Sequence, residues 1–234
     1  MVLRQRAVGA LAAVLVAPLL LTAGGCSNGA APSQQTPQQA LKGAKAALDR
    51  SSGVRLRLAT PTLPPHVEGV MSADGVGTHD PAFKGSLRVT TGGLAADVPV
   101  VAAQGQVYAK LPFTTKFVQV NPGSYGAPDP AELMDPRTGL SSLLTSVQDP
   151  TQGKQVRSGR DVLSSYSGTV PGKDVAAIIP SASADASFDA RFTVDDGGRL
   201  REAVLTGPFY PRSRDVTYTI TFEKYGTHAH ITLP

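Results

Sequence analysis

Cys26 is the only cysteine of the chain, and it directly follows the small residues Thr22-Ala23-Gly24-Gly25. Ahead of them lie Arg4, Arg6 and an uncharged run from Ala7 to Leu21. A basic start, an apolar stretch and small residues before a cleavage point make a secretory signal. A bilayer core takes roughly 20 apolar residues to span, so the 15 residues of 7–21 read as a removable leader rather than a lasting membrane helix. A thiol at the first mature position can accept a diacylglyceryl group through a thioether, and Cys26 is therefore the expected lipidation site. Ala23 stands where lipoboxes usually place Leu, with Leu21 two positions further away. Two or three acyl chains, at about 0.8 kcal/mol per buried CH₂, would anchor the mature chain permanently. The expected location is the outer face of the cytoplasmic membrane, facing the periplasm or cell wall.

The remaining chemistry-bearing residues are sparse. His228 and His230 would share one face of a strand, but a zinc site needs at least a third protein ligand. Asp195 and Asp196 precede Gly197-Gly198, where a hairpin turn wants those residue types for backbone reasons. Ser164, Ser165 and Ser167 have no partner base at sequence level. The chain has no G-x-S-x-G elbow, P-loop, G-x-G-x-x-G, C-x-x-C or H-E-x-x-H. The expectation is a protein that is not an enzyme and holds no metal or cofactor.

Charge narrows the partners. The chain carries 22 basic and 18 acidic residues, and loss of Arg4 and Arg6 with the leader leaves 20 against 18, or +2. The basic residues are scattered, and Trp is absent. No phosphate-tracking stripe or stacking platform is visible, which argues against nucleic acid. With no second cysteine, an exported domain must be held by its hydrophobic core alone.

The chain divides into three segments: a leader at 1–25, a polar tether at 26–39 bearing Cys26, and a domain at 40–234. The tether, thirteen residues beyond Cys26, could reach roughly 40 Å when extended. Ala40, Leu41, Ala44, Ala47 and Leu48 then repeat at helical spacing. Strands are expected over 54–60, 67–72, 83–91, 94–102, 106–111 and 116–120, with Gly92-Gly93 and Gln104-Gly105 as hairpin turns. Asp129-Pro130-Ala131-Glu132 resembles a capping box and should start a short helix. Further helices are expected around Leu140, Leu143 and Leu144 and around Val175 and Ile178. A strand at 162–170 lies between them, and strands at 186–194, 200–205, 216–225 and 228–233 close the chain. The fold class is α+β: about ten antiparallel strands with helices on one face.

Leu87, Val89, Ala96, Val98, Val100, Val107 and Ala109 would form one apolar sheet face, opposite helices bearing Leu140, Leu143 and Leu144. Periodicity by itself leaves open whether that face closes into a core or surrounds a cavity.

The order of motifs resembles the mycobacterial LprG, LppX, LprA and LprF family of lipoproteins. The likeness is carried by Gly85-Ser86-Leu87-Arg88-Val89-Thr90-Thr91-Gly92-Gly93 running on to Tyr108. It is carried also by Asp129-Pro130 through Asp135-Pro136-Arg137-Thr138-Gly139-Leu140 with Leu143-Leu144. The third stretch is Phe222-Glu223-Lys224-Tyr225-Gly226. The resemblance implies a half-barrel sheet wrapped on helices around an apolar cavity, with a bound di- or triacylated envelope lipid or glycolipid as ligand. It implies a membrane exporter as partner, and it makes Leu87 the position at which a larger side chain would block loading. A lipid-modifying hydrolase, which would need a Ser, Asp and His to converge, and a non-transporting scaffold with a filled core are the rival readings.

Overall fold

Thr36 caps the first helix: its Oγ1 accepts from the Gln39 amide at 3.2 Å while Gln39 Oε1 accepts from the Thr36 amide at 3.0 Å. With Pro37 at the first turn, this reciprocal box starts α1 (Pro37–Asp49) three residues ahead of the expected start of the domain. Ala40, Leu41, Ala44 and Leu48 are its buried stripe. A computed structural model describes residues 35–234; Cys26 and the leader lie outside the described residues.

Twelve strands succeed the helix: β1 (Gly53–Ala59), β2 (Gly69–Thr78), β3 (Ala82–Thr91), β4 (Leu94–Ala103), β5 (Gln106–Ala109), β6 (Val118–Val120), β7 (Gln148–Gln152), β8 (Val156–Ser158), β9 (Asp161–Pro171), β10 (Ser187–Val194), β11 (Leu200–Gly207) and β12 (Val216–Glu223). Their order across the sheet is β6-β5-β4-β3-β2-β1-β12-β11-β10-β9-β7, with β8 pairing β9, and every pairing is antiparallel. The sheet is curved and unclosed, as the expected half-barrel requires, and it includes two strands that were not expected, β7 and β8. Two meanders meet at one junction, where Leu56 of β1 pairs with Phe222 of β12.

The helical expectations needed revision. Asp129 Oδ1 accepts from the Ala131 amide at 2.9 Å, but the helix beyond it is a single 3₁₀ turn, Glu132–Met134. Asp135 ends it by turning the chain, its Oδ1 accepting from the amides of Arg137 and Thr138 at 2.8 and 2.9 Å and from Thr138 Oγ1 at 3.0 Å. Gly139 is needed here, since a Cβ would stand 2.5 Å from the Leu133 carbonyl. A 3₁₀ turn at Leu140–Ser142 leads into α2 (Leu143–Ser146), and α3 spans Gly172–Ile178. Lys45 of α1 ties this region down by donating to Asp49 Oδ2, the Pro136 carbonyl and Ser141 Oγ.

Two strand expectations also changed. β7 and β8 are polar, and β7 carries Pro150 at a register shift, a position open to proline on an edge strand. Residues 228–233 form no ladder. Both sides of β12 are occupied by β1 and β11, and Lys224 and Gly226, at φ 50° and 78°, turn the chain away. Ala229, Ile231 and Leu233 remain half-buried while His228 and His230 are exposed, so alternation there records an extended segment with one side on the protein. All twelve strands and the apolar clusters packed on them are built from residues 35–234, so a chain lacking residues 1–26 retains every element found among the described residues.

Candidate functional site: the inner sheet face

The register fixes which side chains share the inner face. Phe83, Gly85, Leu87 and Val89 of β3 stand beside Ala102, Val100, Val98 and Ala96 of β4, and Val100 and Ala102 stand beside Ala109 and Val107 of β5. On the other side, Gly77, Gly75 and Ala73 of β2 pair with Phe83, Gly85 and Leu87, then with Val54, Leu56 and Leu58 of β1. Through the β1–β12 junction the same face continues into Phe222, Ile220, Ala203, Leu205, Phe192 and Ala190.

This single face carries two separate apolar clusters. The larger gathers α1, the short helices, β1 and β9–β12, and includes Phe188, Phe192, Phe209 and Phe222, all nearly inaccessible. Phe209 packs edge-on against both Phe188 and Tyr218, with ring centroids 4.9 and 5.0 Å apart. The smaller comprises Phe83, Val98, Val100, Ala102, Val107, Ala109 and Ala131, with Leu87, Val89 and Val120 packed against it and only partly buried. Glycine matters at one place: Gly75 and Gly85 are paired, and a Cβ on either would collide with the far end of the Phe83 ring.

Of the ten apolar residues chosen from the sequence, six meet at the smaller cluster: Leu87, Val89, Val98, Val100, Val107 and Ala109. Ala96 pairs with Val89 beyond the edge of that cluster and is half-buried. Leu140, Leu143 and Leu144 do not stand opposite these strands, contrary to expectation. They are buried in the larger cluster, where α2 packs against α1, α3 and β9. The polypeptide after β6 must run to β7 at the far edge of the sheet, and that carries the helices to the other half.

Two features tie the halves together. Tyr218 of β12 donates to the Val70 carbonyl of β2 at 2.7 Å and accepts from the Tyr210 hydroxyl at 2.7 Å. Burial pushes the Tyr218 phenol well above the ordinary tyrosine range. The second feature is a cleft of ≈ 590 Å³ at the seam of the two clusters, bordered by Val107 and Val120 from one side and Leu133 and Ile178 from the other, with Gln119, Asp129 and Glu132 among its polar walls. Val107 is the one of the ten chosen residues that borders it.

Sequence reasoning missed Leu58, Val70, Ala73, Gly75 and Phe83 on this face. The signal was partly there, since Val-x-x-Ala-x-Gly-x-Gly runs from Val70 to Gly77; Asp74-Gly75, however, reads locally as a turn. In the structure Asp74 points outward and accepts from Arg55 at 2.9 and 2.8 Å and from Arg57 at 3.1 Å. The Arg55 hydrogen bonds hold its carboxyl below the usual range.

Asp195 is buried in its turn, with its carboxylate accepting from the Arg199 amide and Nε at 2.8 and 3.0 Å. Among the described residues no three His, Cys, Asp or Glu side chains gather as metal ligands. No helix among them is long and apolar enough to cross a membrane.

A family model described as LppX_LprAFG lipoprotein matches residues 36–231. The lipoarabinomannan carrier protein LprG of Mycobacterium tuberculosis (strain H37Rv) is 25% identical over 236 residues, covering 98% of this chain and 95% of LprG. Among solved structures, LprF from Mycobacterium bovis superposes with a TM-score of 0.66 at 19% identity, covering 85% of this chain and 96% of LprF. LppX from Mycobacterium tuberculosis gives 0.62 at 18% identity, covering 86% of this chain and all of LppX. The two structures share the curved open sheet, and the family match takes in α1, all twelve strands and every short helix among the described residues, so the chain belongs to the LppX_LprAFG lipoprotein family.

Proposed function

We propose that the protein is a membrane-anchored carrier that holds the acyl chains of an envelope lipid or glycolipid on the inner face of β1–β4 and helps move them toward the outer layer. The observation that carries this reading is an apolar inner strip that its own chain leaves partly bare. Leu58, Ala73, Leu87, Val89 and Ala96 all point inward, yet each remains part-exposed. Apolar area left in water costs about 25 cal/mol per Å², and an acyl chain laid along the strip would remove that cost with no polar group to satisfy. Exchange of the chain between bilayer and protein is then close to neutral, so loading and release are both permitted. A carrier of this kind needs no catalytic group. LprG, by its name a carrier of a lipidated glycan, supports the same cargo class. Cys26 would supply the anchor, and a membrane exporter would hand over or receive the lipid.

The test is extraction of lipid from the chain lacking residues 1–26, purified from a mycobacterial host, beside its Leu87→Trp variant. Acylated lipid near one equivalent, lost from a folded Leu87→Trp protein, is the expected result. Two folded proteins without lipid would overturn the reading in favour of a filled scaffold. For the anchor, intact mass of the full chain should show diacylglyceryl on Cys26, absent from Cys26→Ser.

A further inference from the structure

We propose that one end of the sheet is a membrane-insertion tip, which seats the open part of the inner face on an anionic bilayer. Antiparallel alternation puts five connections at that end: residues 60–68, Gly92-Gly93, residues 110–117, residues 172–186 and residues 208–215. Two of them expose large apolar side chains. Phe113 is completely exposed and Leu94 is 74% exposed, with Leu111 and Val118 also open to solvent. A side chain of that size left in water on a loop asks for a partner.

The β5–β6 loop is built to hold Phe113 outward. The Thr114 amide and Oγ1 donate to the Leu111 carbonyl at 3.1 and 2.7 Å, closing a tight turn in which Phe113 takes φ 66°. The β3–β4 turn is fixed in its place too, by the Gly92 amide donating to Glu68 Oε1 at 2.8 Å.

Charge selects the occupant. Lys110 and Lys116 flank Phe113, both exposed and neither paired with a carboxylate among the described residues, and residues 110–117 hold no acidic side chain; elsewhere at this end Lys173, Arg212 and Arg214 stand with Glu68, Asp174, Asp185 and Asp215. An apolar tip flanked by two unpaired lysines matches an interface with anionic headgroups, where the Phe113 ring reaches the acyl boundary and the ammonium groups meet phosphates. A second copy of the chain meeting this loop would bring Lys110 and Lys116 against their own counterparts. The placement has a functional sense that rests on the carrier reading: on the inward side of β3 and β4, Leu87, Val89 and Ala96 lead up to Leu94 at this tip, so insertion sets the bare strip where acyl chains are.

The chain has no Trp, which makes Phe113→Trp a single reporter. With residues 1–26 removed so that no anchor contributes, its emission should shift to the blue on vesicles of phosphatidylcholine with phosphatidylglycerol. The Leu94→Ser/Phe113→Ser double variant should lower the vesicle partition coefficient at least tenfold with an unchanged melting midpoint. Each of Lys110→Gln and Lys116→Gln should lower it roughly fivefold, and pure phosphatidylcholine should bind weakly. Equal binding by parent and double variant, or no blue shift, would overturn the inference; so would a dimer of the parent that the double variant loses. Lipid extracted from the same preparations separates the two ideas. Cargo without vesicle binding removes the tip alone, and vesicle binding without cargo removes the carrier alone.

Discussion

The two halves of the sheet share a strand pattern and differ in what fills them. From β9 to β12 the inner face carries Phe192, Phe222 and Ile220 under α1 and α3, and its side chains complete their own core. From β2 to β5 the same inward positions hold Gly75, Gly77, Gly85, Ala73 and valines, with Phe83 as the only buried aromatic ring. A sheet face furnished with small residues and left partly uncovered has room for a chain that is not protein. Closed core and open strip are thus set by residue size along a single continuous surface.

Substitutions can break this contrast. Phe188→Ala, in the filled half, removes a ring packed on Phe209 and on Gly207, where a Cβ would lie 2.4 Å from that ring. It should cost about 3–5 kcal/mol in urea unfolding; a cost near 1 would mean that this half is also loosely filled. Enlargement probes the difference more sharply. Ala203→Leu, between Phe192 and Ile220, should cost about 1–3 kcal/mol, whereas Leu87→Trp should unfold within about 1 kcal/mol of the parent while losing cargo. Similar losses for both would erase the distinction.

A smaller effect is expected at the turn that carries the helices away from β2–β6. The Arg137 amide, helped by Thr138, holds the Asp135 carboxyl below its usual range. Its contribution is then complete above the unfolded carboxyl pKa, about 3.9, and is lost as pH falls through the lower folded value. Asp135→Asn should flatten that acid limb of the stability curve and cost about 1–2 kcal/mol at neutral pH. An unchanged acid limb would assign the acid loss to other carboxylates. Least of all, Arg88→Ala, which removes an exposed pair with Asp97 on the outer face, should change stability by about 0–1 kcal/mol and leave cargo untouched.

Much of this contrast could be read from residue order. Alternation in 83–91 and 94–102 located β3 and β4 within a residue, and it put Leu87 and Val98 on one side. What failed were places where a local signal was overruled at a distance. Asp74-Gly75 has turn chemistry, but salt bridges to Arg55 and Arg57 and a pairing with Gly85 keep it in a strand. Residues 228–233 have strand chemistry but no free edge to join. The helix bearing Leu143 and Leu144 has a clear apolar face, yet nothing in periodicity says which half of a sheet it will cover. The Thr36-Pro37-Gln38-Gln39 box has the capping pattern in full, but its Gln- and Pro-rich composition is equally that of a linker. Two of the three stretches that carry the family likeness turn out to build corners. Tyr225 donates to the Leu200 carbonyl at 2.6 Å, and the Gly226 amide donates to Ser51 Oγ at 3.0 Å.

The junction of β1 with β12 has a consequence for the order of assembly. Each meander is made of contacts between neighbours in sequence, which close quickly, but joining the two requires a loop of more than a hundred and fifty residues to shut in one step. A chain emerging from its N-terminus holds β1 with one edge bare, and α1 without its β11 support, until the last strand has been made. Completion of this fold is therefore a late, all-at-once event, and the nascent chain stays unlocked, and threadable, for nearly the whole of its synthesis.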